Sequence, residues 1–206
     1  MLSDFLKHLF PRVVLRKNLR LSYTFCLGGM ALTVLLTLLM TGFLLLFHYQ
    51  PHPEHAYASI LALETQIFGG HYLRSLHRFA SHAYLFLLFL HSLRVIFTGA
   101  YCPPRQMNWW IGFALLLLSL FTAYTGYLLP MDQLALWATQ TGMNLVAELP
   151  FGWIFKGILV PDAVGESYSL LRFYVMHILV IPAGIITLVA LHFYRIRKDK
   201  GILPYL

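Results

Sequence analysis

HRFASHAYLFLLFLH, residues 77–91, sets two histidines 14 residues apart in a largely apolar run. At about 100° per residue, 14 steps return to within about 40° of the starting face, so His77 and His91 share one side of a helix. An echo follows in HILVIPAGIITLVALH, residues 177–192, where His177 and His192 are 15 residues apart. That is again about four turns and roughly 21–23 Å of rise. Two such helices side by side would present two facing histidine pairs, His77 with His177 and His91 with His192, at two depths. His82, about 140° round from His77, reads as a packing residue.

The surrounding composition says where those helices lie. Of 206 residues, 59% are hydrophobic and 11% charged, and the long Leu, Phe, Val and Ile runs have no soluble explanation. The expected fold class is all-α, an integral membrane four-helix bundle holding stacked haems, with spans over residues 21–48, 74–97, 109–129 and 170–195 inside one domain, 21–202. Residues 1–20 mix Leu2, Phe5, Leu6, Leu9 and Phe10 with Lys7, Arg12, Arg16, Lys17 and Arg20. This predicts an amphipathic helix on an anionic membrane face, a basic tail being the alternative. The first apolar run is long enough to span, so no removable signal peptide is expected.

The net charge of +7 sits at helix flanks, which favours membrane topology over nucleic-acid binding. With both termini on the cytoplasmic side, the inner segments collect Lys7, Arg12, Arg16, Lys17, Arg20, Arg94, Arg105, Arg195, Arg197, Lys198 and Lys200, while acidic residues dominate the other side. The long connection over residues 130–169 suits short interfacial helices. Trp109, Trp110, Trp137 and Trp153 read as interfacial anchors. Cys26 and Cys102 form neither CxxC nor CxxCH.

Two facing imidazoles at each of two levels are what two doubly ligated haems require. Gly28 and Gly42 in the first span, and Gly112 and Gly126 in the third, are each 14 residues apart. They would let a flat macrocycle press against the backbone, helix packing being the alternative reading. Haem carboxylates need cations, and Arg74, Arg78 and Arg94 flank the ligands. Snorkelling to the surface is the other explanation for each.

With these residues in hand, HYLRSLHRFASHAYLFLLFLHSLRVIFTGAY, YTGYLLPMDQLALWA and SLLRFYVMHILVIPAGIITLVALHFYRIRK resemble the cytochrome b family over residues 18–202. The 15-residue gap, the FCLGG start of the first span and the four-helix length resemble its short cytochrome b6 branch. The resemblance implies a low-potential haem b on His77 and His177, a high-potential haem b on His91 and His192, and quinone as substrate. It also implies a third, c-type haem bound covalently at Cys26, with Arg197 near it. No catalytic residue is assigned, but the outer quinol pocket region matches Pro130, Met131, Asp132, Gln133 and Trp137, with PMDQ where the family has PWDQ or PWGQ.

The chain has no PEWY, so the resemblance implies a separate subunit IV-like partner, together with a Rieske-type iron–sulfur protein, a c-type cytochrome and a dimeric complex. Its mixed features point to a bacterial cytoplasmic membrane and menaquinone. The expected function is electron transport from outer quinol oxidation to inner quinone reduction in a quinol:cytochrome c-type oxidoreductase. Two alternatives are a dihaem anchor of a formate dehydrogenase or hydrogenase, and a non-redox proton-relay transporter or scaffold.

Overall fold

The structure is a computed structural model that describes residues 26–198, and all regular secondary structure among them is helical. The surface helix expected over residues 1–20 lies outside the described residues. In chain order the helices are α1 (Leu27–Leu46), α2 (Ala56–Gln66), α3 (Gly70–Phe97), α4 (Gln106–Leu128), α5 (Gln133–Ala147), α6 (Gly152–Leu159) and α7 (Ser167–Val175). A π-helical turn, Met176–Val180, then joins α7 to α8 (Ile181–Lys198).

Four helices are long and apolar enough to cross a membrane: α1, α3, α4 and the run Ser167–Lys198. This is an integral membrane protein. The last three spans begin three or four residues earlier than hydropathy predicts. Polar turns such as His71–Arg74 and Gln106–Asn108 continue the helix into the interface, because a helix needs satisfied backbone groups rather than apolar side chains. The packing matches a lipid solvent: bulky Phe79 is 70% exposed whereas Thr125 is 0% exposed, so large residues face outward and small ones pack inward.

The described residues form two compact units, and each span contributes a segment to both. The first comprises residues 26–36, 81–119 and 183–198. Here Ala31, Leu35, Leu115 and Ile185 are buried. The Ser119 hydroxyl donates to the Leu115 carbonyl (2.7 Å), which leaves the buried Tyr84 hydroxyl to donate to Ser119 (3.1 Å). Both polar groups are thereby satisfied away from water.

The second unit comprises residues 37–80 and 120–182. Its core joins Ala56, Leu128, Met143, Leu159, Val160, Leu170 and Phe173. As expected, the connection after the third span holds short helices, α5 and α6. Asp132 caps α5 by accepting the Ala135 N–H at 2.8 Å, and Asp162 accepts the Tyr168 and Ser169 N–H groups at the start of α7.

Helix α2 was not anticipated. Its Ala56, Ser59 and Leu63 are buried, the i, i+3, i+7 stripe of an amphipathic helix. Gly69, at φ +74°, turns the chain from α2 into α3, and a Cβ on Gly70 would overlap the Leu63 carbonyl. Tyr49 ties the loop before α2 to the end of α4, donating from its hydroxyl to the Leu129 carbonyl at 2.7 Å. Burial, with the adjacent Tyr174 phenol adding to it, pushes the Tyr49 pKa up.

Candidate functional site

The second unit brings His77 of α3 and His177 of the π turn together, ring centroids 6.4 Å apart and planes at 74°. Two in-line imidazole–metal bonds of about 2 Å, with about 1 Å from each nitrogen to its ring centre, separate ligating rings by about 6 Å. The pair therefore fits a metal held between two imidazoles.

Hydrogen bonding decides which nitrogen each ring offers. The Thr41 hydroxyl donates to the Thr37 carbonyl (2.8 Å), so toward His77 Nδ1, also at 2.8 Å, it acts as acceptor. The His177 Nδ1–H donates to the Thr122 carbonyl at 3.0 Å, since a carbonyl can only accept. Both protons thus sit on Nδ1, leaving the Nε2 lone pairs available to a metal.

The π turn solves a register problem. In an unbroken α-helix, 15 steps from His177 to His192 overshoot four turns by about 60°, whereas the 14 from His77 to His91 fall short by about 40°. At the turn the Ile181 N–H bonds back to the Met176 carbonyl, five residues away, and the wider turn absorbs one residue. Its cause is Pro182, whose ring excludes the carbonyl of residue 178 and which has no N–H to bond it.

In the first unit His91 lies within electrostatic reach of both His192 and Arg94. Here the Nδ1 atoms are less well held. The Asn108 carbonyl faces the His192 ring outside hydrogen-bond geometry, and His91 Nδ1 is buried with no partner among the described residues.

All four glycines singled out by their spacing face a histidine ring. A Cβ on Gly28 would lie 3.3 Å from His91 Cε1, on Gly42 3.3 Å from His77 Cε1, and on Gly112 3.3 Å from His192 Cε1. On Gly126 it would overlap His177 outright. The bare backbone makes room for an imidazole.

The remaining candidates fall less uniformly. Arg74 pairs with the carboxylate of Glu64 on α2. Sequence reading missed this because it missed α2. Arg78 is exposed. Arg197 keeps a buried Nη1 with no partner among the described residues. His82 is exposed rather than packed inside.

Met131 sits at φ +55° in the turn after α4; Gln133 and Trp137 are exposed on α5. Cys26, exposed and at φ +48°, opens a groove of about 470 Å³ lined by Gly29, Met30, Thr33, Val34 and Leu87. Thr41 was also missed. It and Thr125 precede the glycines at 42 and 126, but Thr–Gly recurs at 98–99 and 141–142, so the dipeptide alone marks nothing.

Four membrane spans carrying two glycine-backed histidine pairs define a membrane-embedded electron-carrier class of protein. The family model described as Cytochrome b(N-terminal)/b6/petB matches residues 82–205. The chain is 39% identical to "Cytochrome b6" of Heliobacterium mobile over 178 residues, 86% of this chain and 84% of that one. It is 34% identical to the "Menaquinol:cytochrome c reductase cytochrome b subunit" of Bacillus subtilis (strain 168) over 202 residues, 97% of this chain and 90% of that one. A chain of the solved "Hyperthermophilic respiratory Complex III" superposes with a TM-score of 0.81 at 26% identity over 88% of this chain, which spans about half (49%) of that one. This chain belongs to the cytochrome b/b6 family, and the family implies haem b and a quinol.

Proposed function

We propose that this chain is the cytochrome b subunit of a menaquinol-oxidising complex, holding two b haems and carrying electrons between an outer quinol-oxidising site and an inner quinone-reducing site. At the coarser level, it is a bc/b6f-type electron-transfer subunit of an oxidoreductase. The carrying observation is the His77–His177 pair, 6.4 Å apart with both Nδ1 atoms engaged. Haem bound between such imidazoles supplies one-electron redox chemistry at its iron.

The chain's own residues do the rest. His77 and His177 would hold one iron, His91 and His192 the other. Gly28, Gly42, Gly112 and Gly126 let the rings approach. Arg94 and Arg197 supply cations for haem carboxylates, with Arg78 at the other end of α3, whereas Arg74 stabilises the α2 loop through Glu64. Hydrogen bonds at Nδ1 make an imidazole a stronger electron donor and favour oxidised iron, so a haem at the His77–His177 site would have the lower potential.

Near the outer surface, Pro130, Met131 and the exposed Gln133 and Trp137 shape the quinol pocket, while Asp132 acts as the cap that positions α5. A subunit IV-like chain, a Rieske-type iron–sulfur protein and a c-type cytochrome complete the complex, a dimer, and the charge distribution supports cytoplasmic termini. Quinol oxidation outside releases protons there and quinone reduction inside takes them up.

At the inner site, the exposed Cys26 thiol would hold a third haem through a thioether, and Gly29 and Thr33 line the groove beside it. Purified protein should show reduced α-bands from two haems that acid–acetone removes and a third that it does not. Cys26→Ala should lose only the retained haem, read by pyridine haemochrome. Absence of α-bands overturns the whole reading; unchanged retained haem in Cys26→Ala overturns the covalent site. Family membership leaves no observation favouring a formate dehydrogenase anchor or a transporter.

A further inference from the structure

Of the ten histidines, six lie outside the two pairs, and three of these, His48, His52 and His55, fall within eight residues of the loop before α2. His52, Glu54 and His55 are all exposed, yet their ligand atoms lie within 4.8 Å of one another. The two imidazoles are 5.1 Å apart, centroid to centroid, and inclined by 32°.

This closeness is built by the backbone. The His52 N–H donates to the Gln50 carbonyl (2.8 Å), and the His52 carbonyl accepts from His55 (3.0 Å) and Ala56 (2.8 Å), closing one turn around Pro53. Proline fixes that turn's φ. The turn is anchored from behind: Ala56 is 0% exposed in the core of its unit, and the Gln50 N–H donates to Ser59 Oγ at 3.3 Å. A 3.4 Å contact from the Glu54 N–H finds His52 Nδ1 as an acceptor, bearing the lone pair a metal needs and giving up little when a metal takes its place.

We propose that His52, Glu54 and His55 form a binding site for a zinc-class divalent cation, independent of the haem sites. Two imidazoles and one carboxylate suit zinc, copper(II) or nickel better than magnesium or calcium, which take oxygen ligands. Three protein ligands leave a fourth position for water or a neighbouring group.

The test is equilibrium dialysis of chelator-treated, haem-loaded protein, with whatever subunits co-purify, against zinc chloride at matched ionic strength. One equivalent of zinc should disappear in the double variant His52→Gln/His55→Gln, while the reduced α-bands stay unchanged as proof of folding. Glu54→Gln should keep the site with affinity weakened about tenfold or more, and magnesium should not compete. Should the double variant lose its α-bands, His55→Gln alone carries the same expectation, a loss exceeding about 100-fold. Equal zinc stoichiometry and affinity in wild type and the histidine variants, or no zinc bound by wild type, overturns the proposal.

Discussion

Thr41 governs the electronic character of His77, because its hydroxyl proton is committed to the Thr37 carbonyl and its oxygen is left to accept from Nδ1. Thr41→Val should raise the midpoint potential of the His77–His177 haem by on the order of tens of millivolts, leaving the other haem unchanged in a redox titration. The glycines grade the same way. Gly126→Ala should cost about 1–3 kcal/mol in overpacking and lose one haem, since its methyl would overlap His177. Gly28→Ala, Gly42→Ala and Gly112→Ala meet their rings at 3.3 Å and should retain haem with lower thermal stability, measured as loss of the α-band on heating. The histidines and glycines were legible as spacings on single helices. Thr41 was not, because its partner lies 36 residues away on another one.

At the scale of the element, the π turn lets a 15-residue spacing serve where 14 would serve in a pure α-helix. Deleting Leu179 together with Pro182→Ala should close the turn into α-helix and retain both haems. Deleting Leu188 instead keeps the widened turn and rotates His192 by about 100°, so one haem should be lost in the reduced-minus-oxidised spectrum. The 15-residue gap and Pro182 were both visible in sequence, yet neither states that the surplus is absorbed at His177. Helix α2 shows the reverse: its stripe of Ala56, Ser59 and Leu63 was there to be read, and its low hydropathy beside the spans concealed it.

For the whole molecule, each compact unit contains one of the two histidine pairs together with the glycines that face it. His77→Ala/His177→Ala should therefore remove one b haem and leave the His91–His192 haem, and the converse variant should do the opposite, quantified by pyridine haemochrome. Loss of both haems from either variant would mean that the two units do not hold haem separately. By itself the sequence determined the membrane class, the four spans and the pairing of histidines, because hydropathy and a 3.6-residue period are one-dimensional properties. Only tertiary structure decided that Nε2 is the free nitrogen, that Arg74 belongs to Glu64, and that the glycines face imidazoles. Those outcomes depend on atoms brought together from distant parts of the chain, as far apart as Thr122 from His177 and Gly112 from His192, separations over which no spacing rule operates.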